Sequence, residues 1–289
     1  MYLLSACIFL LLIFTPDNAF AWGPATHLEL GRDILDHLKS LPPFLQGLLS
    51  KFPYDYLYGN ISADIVVGKN LTKKLKHCHN WRVGLKILKG AQAEPQKAFA
   101  YGYLSHLAAD TIAHNYYIPQ KFIQSFSSRI LRHTYWELRF DALVDKNVWR
   151  FPAKMSKEVH RENDNLLKNI LEDTPLPFRA NKTIFSSILL IHRINQWHSM
   201  LDMLSSTSRW ALSREEKELY YNRSLSAIND FLMSGSKARC LRDDPTGKER
   251  LDSAKKLKRQ LKTLKKNGKD WEDAMEKALV SLKSDPAAV

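Results

Sequence analysis

The sequence predicts an all-α protein: one multi-helix globular domain with a short basic helical extension at its carboxyl end. Three observations carry that prediction. Apolar residues recur at spacings of three and four through Leu28–Lys39, Phe44–Phe52, Pro95–Tyr117, Ile118–Val148, Ala153–Leu171, Lys182–Ser205 and Ser213–Met233, the period of a helix that buries one face. Stretches with the alternation of a strand are scarce, and only Asp64–Val67 could extend briefly. Pro42 and Pro43, the run from Asp173 to Pro177, and Gly235 punctuate the helical segments.

Residues 1–21 are expected to be a leader outside the fold. Met1–Phe14 is almost wholly apolar, about the length of a signal-peptide core, and Ala19-Phe20-Ala21 follows as a small-residue cleavage pattern. The run is short of the roughly 20 apolar residues that span a bilayer. Leu4-Ser5-Ala6-Cys7 resembles a lipoprotein box, but cleavage there would leave an apolar stretch on the mature chain. Simple secretion, or export to a periplasm, with cleavage after Ala21 is the expectation.

Of the helical segments, 99–117 carries the most chemistry. His106, Asp110 and His114 recur every four residues there, which places side chains on one helical stripe about a turn apart. Ala108, Ala109 and Ala113 favour the helix. The stripe could face water, with its histidines pairing locally. Its neighbours Phe99, Tyr101, Tyr103, Leu104, Leu107 and Ile112 argue instead for burial, and buried polar groups in line need a shared partner. Two imidazoles and a carboxylate suit a divalent cation, above all zinc.

Cleavage after Ala21 makes Trp22 the first residue. Its α-amine and carbonyl could then chelate a metal, and His27 could reach the same ion from the start of the next helix. The alternative is an exposed terminus with Thr26 as a simple helix cap.

Five fragments now stand in order: Ala-Trp-Gly-x-x-x-His ending at His27, Gly-Asn-Ile-Ser-Ala-Asp ending at Asp64, His79-Asn80-Trp81, His106-x-x-x-Asp110 and His133-x-x-x-Glu137. Together they resemble the zinc-dependent phospholipase C family, whose fold and site plan are shared by trinuclear zinc nucleases. The resemblance covers roughly Trp22 to Asp145, with a weaker helical match to about Gly235. In the best-known members the histidine after the bridging aspartate lies six residues on. The spacing of four here is closer to the amino-terminal domain of glycosylphosphatidylinositol-specific phospholipase D and its bacterial relatives.

The resemblance implies about three zinc ions and no organic cofactor. Asp64, His79, His106 and Asp110 would hold one zinc. The Trp22 amine and carbonyl, His27 and a bridging Asp110 would hold a second, and His114, His133 and Glu137 the third. His77 and His79 flank Cys78, and the Asn80-Trp81 context, which matches the family, selects His79. Asp64 and Asp110 are the implied catalytic residues, Asp64 either as a ligand or as the base that orients water.

The domains expected are the leader 1–21, a catalytic domain 22–235 and an extension 236–289. The extension holds 15 Lys or Arg against 9 Asp or Glu. Leu251, Leu257, Leu261 and Leu264, then Trp271, Met275 and Leu279, predict two amphipathic helices around Asn267-Gly268. Their basic surface either is solvated or rests on anionic lipid, where each basic residue adds about 1 kcal/mol. The whole chain carries +13 at neutral pH, which favours phospholipid or nucleic acid without choosing between them. Cys78 and Cys240 could pair in an oxidising compartment.

No Gly-x-Ser-x-Gly elbow or phosphate-binding glycine loop competes with metal chemistry. The expected reaction is phosphodiester hydrolysis of a phospholipid on its glycerol side. A nuclease would need exposed aromatic platforms, for which Tyr116, Tyr117, Trp136 and Trp81 are candidates. A non-catalytic zinc-stabilised domain that binds membranes is the third possibility.

Overall fold

Proline opens each of the first three helices: α1 (Pro24–Asp36), α2 (Pro43–Lys51) and α3 (Pro53–Ser62). At this position the missing amide hydrogen has no helical partner to lose, and the fixed φ already suits the helix. The computed structural model describes residues 22–66, 78–128, 133–155, 157–171, 174, 176–192, 210 and 212–283. Residues 1–21, expected to be a leader, and His77 and His198 lie outside them. Among the described residues every regular element is helical, and no helix is long and apolar enough to cross a membrane.

After α4 (Trp81–Gly90), α5 (Glu94–Ile112) forms the axis of the molecule. Ala98–Ala100 and all of Gly102–Ile112 are buried, the signature of a helix surrounded on every side. Helices α1, α3 and α4 pack on it, as does α11 (Arg214–Ser234). The α3–α5 crossing is close because two glycines face across it. A Cβ on Gly59 would sit 2.1 Å from the Phe99 carbonyl oxygen, and one on Gly102 would sit 2.0 Å from that of Tyr56. That crossing holds the end of α3, with Asn60 and Asp64, against the face bearing His106.

Beyond Ile112 the helix widens into a π-helical segment, Ala113–Tyr117, before α6 (Ile118–Gln124). Pro119 supplies a physical reason. It has no amide hydrogen to close a turn on Asn115, and its ring crowds that carbonyl. The predicted stripe is therefore α-helical through His106 and Asp110, while His114 sits in the widened turn.

The expected helix Ile118–Val148 is broken. It comprises α6, α7 (His133–Asp141) and a 3₁₀ segment, Lys146–Arg150. Ser125 bonds its hydroxyl back to the Lys121 carbonyl at the end of α6, a local bond that competes with helix continuation. Asp145 accepts from the Asn147 amide and caps the 3₁₀ segment. The short α8 (Phe151–Lys154) precedes α9 (Lys157–Ile170), and α10 spans Phe178–His192. Lys182 of α10 bonds to Asp164 and His160 of α9 and to the Tyr58 hydroxyl of α3. Of Asp64–Val67, Asp64 and Ile65 lie in the 3₁₀ turn Ala63–Ile65, Val66 is extended, and Val67 lies outside the described residues.

The extension folds as two helices, α12 (Lys248–Lys266) and α13 (Glu272–Lys283), on either side of Asn267-Gly268. Both pack on α6, and α12 also covers the π-helical turn. Cys78 and Cys240 are buried free thiols rather than a disulfide.

Candidate metal centre

His106 projects from α5 with no exposure to solvent. Its Nδ1 lies 2.8 Å from the Asn60 carbonyl oxygen. A carbonyl can only accept, so Nδ1 carries the hydrogen and Nε2 presents a lone pair. That Nε2 lies 3.2 Å from Asp110 Oδ2 and 3.1 Å from His79 Nε2. His79 Nε2 in turn lies 3.2 Å from both Asp64 Oδ1 and Asp110 Oδ2.

The other oxygen of Asp110 faces His27. His27 Nε2 is 3.2 Å from Asp110 Oδ1, and its ring stacks on His106 with centroids 3.7 Å apart. Burial, then repulsion from His106, lowers His27 to about 4. Burial alone would raise the Asp110 carboxyl, but His106, His27 and His79 outweigh it and hold the group well below its ordinary value. A neutral His27 facing an ionised Asp110 is the pair of protonation states that metal ligands require.

The arrangement fits a cation. Two sets of ligand atoms, His27/His106/Asp110 and Asp64/His79/His106, each converge within 4.8 Å, and all five residues are buried. His27 Nδ1 also lacks any hydrogen-bond partner. So many buried acceptors facing one another are destabilising unless a shared positive charge lies among them.

Trp22 is fully buried beside this group. Its indole Nε1 donates to the Ala109 carbonyl at 3.2 Å and the Ser224 hydroxyl at 3.1 Å. Its ring packs on Phe140 and Tyr117, with centroids 4.1 and 4.9 Å away. The first residue of the described chain is thereby fixed against the turn that bears Asp110.

His114, His133 and Glu137 gather at the π-helical turn. The His114 and His133 rings meet edge to face with centroids 4.9 Å apart, and His133 Nε2 lies 3.2 Å from Glu137 Oε1. All three are buried, and they form a looser set than the two around Asp110. The structure thus brings His27, Asp64, His79, His106 and Asp110 together and sets His133 beside His114 and Glu137, while Trp22 is anchored through its indole.

Several supporting residues escaped the sequence reading. Asp141 caps α1 from α7, accepting from Ala25 N and Thr26 N at 3.2 and 3.1 Å. Burial pushes its carboxyl up to about 6 against the pull of those donors. Trp81 Nε1 donates to the Asp243 carbonyl at 2.9 Å, and Asn115 Nδ2 to the Asp244 carbonyl at 3.0 Å. Residues 243–247 therefore form a strap between the neighbours of His79 and His114. Gly247 ends it with φ of 55°, where a Cβ would lie 2.4 Å from the His114 carbonyl oxygen. A cavity of about 670 Å³, lined by residues including Trp81, Asn115, Arg242 and Arg250, opens beside the strap. Trp81 stood out in the sequence only as part of the His79-Asn80-Trp81 fragment, and Gly247 is an ordinary turn residue until its neighbour is known.

No curated protein and no solved structure matches the chain. The model of the family described as zinc dependent phospholipase C matches residues 26–182. That span is more than half of the 289 residues, and it contains His27 through Glu137 while leaving the extension outside. The chain belongs to the zinc-dependent phospholipase C family.

Proposed function

We propose that the chain is a secreted phosphodiesterase that hydrolyses the glycerol-side phosphodiester of phospholipids, releasing diacylglycerol and a phosphorylated head group. The observation that carries this reading is the convergence of His27, Asp64, His79, His106 and Asp110 in two buried ligand sets that share His106. Asp110 offers one oxygen to each side of the pair, and Asn60 holds His106 in the tautomer that leaves Nε2 open. Asp64 stands at the edge of the pair, as a ligand or as the group that orients the attacking water. His114, His133 and Glu137 form the third site, with His114 in the turn that follows Asp110 along the chain. The Trp22 amine, freed by cleavage after Ala21, completes the ligands around His27.

Bound zinc supplies polarisation of phosphoryl oxygens, a lowered pKa for water, and compensation of charge on the leaving oxygen. The family supports a hydrolase and a phospholipid substrate. A nuclease reading is less well supported, because Tyr116, Tyr117 and Trp136 are buried and the half-buried Trp81 is tied to the Asp243 carbonyl and stacked on Phe231. The basic helix α12 suits an anionic lipid surface.

The test uses the zinc-loaded chain beginning at Trp22, offered phosphatidylcholine, phosphatidylethanolamine and phosphatidylglycerol vesicles alongside single-stranded DNA. Diacylglycerol release from at least one lipid, with the DNA intact, is expected. Cleavage of DNA alone would make it a nuclease. Vesicle binding with no turnover of any phosphodiester would make it a non-catalytic membrane-binding domain.

A further inference from the structure

We propose that Asp141 is the positioning residue of the centre: it holds the first turn of α1, and with it His27, at a set distance from the ligands on α7. The proposal rests on reading the histidine–aspartate cluster as a metal centre, but it concerns a residue that belongs to neither ligand group.

The first turn of any helix leaves amide hydrogens without intrahelical partners. In α1 the residue in the capping position is Gly23, which has no side chain to accept them. Asp141 takes its place from 115 to 116 residues away. Its Oδ2 accepts from Ala25 N at 3.2 Å, and its Oδ1 accepts from Thr26 N at 3.1 Å and from the Thr26 hydroxyl at 2.5 Å. The backbone and the carboxylate touch: a Cβ on Gly23 would stand 2.0 Å from Asp141 Oδ2.

What makes this more than a cap is where the carboxylate comes from. His133, Glu137 and Asp141 follow one another at intervals of four along α7, so they share one face of the helix. His133 meets His114 and lies beside Glu137, and Asp141 grips the turn that carries His27. Trp22 fills the space between, its ring against Phe140 of the same helix. A single rigid element thus sets the separation between the two halves of the site. Polar groups that orient ligands from outside the coordination sphere typically change metal affinity 10- to 100-fold when removed.

The experiment uses the full chain from Trp22 as wild type, Asp141→Asn, Asp141→Ala, Thr26→Ser and Thr26→Val, with His27→Ala as a reference. Zinc per chain is followed through a chelator titration, and the helical melt of the zinc-free protein is recorded for each. Asp141→Ala is expected to release one zinc at roughly 10- to 100-fold lower chelator, the same ion that His27→Ala loses, while the remaining zinc stays at the wild-type concentration. Asp141→Asn keeps one acceptor oxygen and should fall between wild type and alanine. Thr26→Ser should restore what Thr26→Val weakens.

A purely structural carboxylate would weaken all ions in parallel with the melt, and that result overturns the proposal, as does wild-type zinc retention in Asp141→Ala. Should Asp141→Ala fail to fold, the Thr26 pair decides: equal retention in serine and valine overturns the proposal. A wild-type chain without zinc overturns the metal-centre reading as well, and the unmutated control reveals that before any variant is compared.

Discussion

The Nε2 atoms of His79 and His106 stand 3.1 Å apart, and each lies 3.2 Å from Asp110 Oδ2. With Nδ1 of His106 committed to the Asn60 carbonyl, its facing nitrogen offers a lone pair. A cation between the rings relieves that opposition, so metal binding is coupled to folding. A ligand at 1,000 times its dissociation constant adds about 4 kcal/mol. Chelation is therefore expected to lower the melting temperature on the order of 10 °C, restored by zinc in calorimetry. An unchanged melt after verified metal removal would count against the coupling.

Asp64 and Asp110 should separate in their defects. Asp110→Ala removes the carboxylate that faces His27 through one oxygen and His79 and His106 through the other, so zinc content and turnover are expected to fall together. Asp64→Asn keeps the shape and loses the charge. If Asp64 orients water, kcat falls about 10²- to 10⁴-fold with zinc retained. If it is a ligand, metal content falls with kcat. Metal analysis beside steady-state kinetics distinguishes the two, and full activity in Asp64→Asn would exclude both roles.

Gly247→Ala tests the strap. The residue has φ of 55°, and its added methyl would meet the His114 carbonyl oxygen at 2.4 Å. The left-handed conformation alone disfavours a side chain by about 1–2 kcal/mol. A loss of at least about 2 kcal/mol in urea unfolding is expected. Wild-type stability in this variant would mean that the strap does not rest on His114.

The thiols provide an independent check on the extension. Cys78 and Cys240 are buried and unbonded, and burial, aided by Asp230 and Asp243, pushes Cys240 up to about 12. A chain starting at Trp22 should show two reactive thiols after denaturation and nearly none before. No thiol in the denatured, unreduced protein would demonstrate a disulfide and a different packing of α12.

Much of the fold was legible because helices announce themselves by period. The pair around Asn267-Gly268 and the long axis ending at Tyr117 follow directly from apolar spacing. Helix α3 did not, because Asp55–Ser62 is buried on every side and a helix without a solvent face has little apolar period to read. The proposed ligands were legible for a different reason: His106, Asp110 and His114 stand at intervals of four, and the other fragments resemble the family's motifs in order. Their supports were not. The Asn60 and Asp243 groups that matter are carbonyls, which every residue possesses, and the partners of Asp141 lie more than a hundred residues away. Nothing local in either stretch marks such pairings.

Lys258 supplies a pH signature. Burial, and then Lys262, push its ammonium down to about 8 from an ordinary 10.5. Between those values the unfolded chain holds a proton that the folded chain has released, so this group makes stability rise with pH across that window. Lys258→Met should flatten that rise in urea midpoints taken at intervals from pH 7.5 to 10. Parallel curves for the two proteins would remove Lys258 as its source.

The strap also comes late in the chain. Every proposed ligand has been synthesised by residue 137, yet the carbonyls of Asp243 and Asp244 that secure Trp81 and Asn115 lie more than a hundred residues further along. A ribosome that stops anywhere in between leaves a chain with all its donors and no lock on them. The centre thus takes part of its support from a segment that contributes no ligand at all.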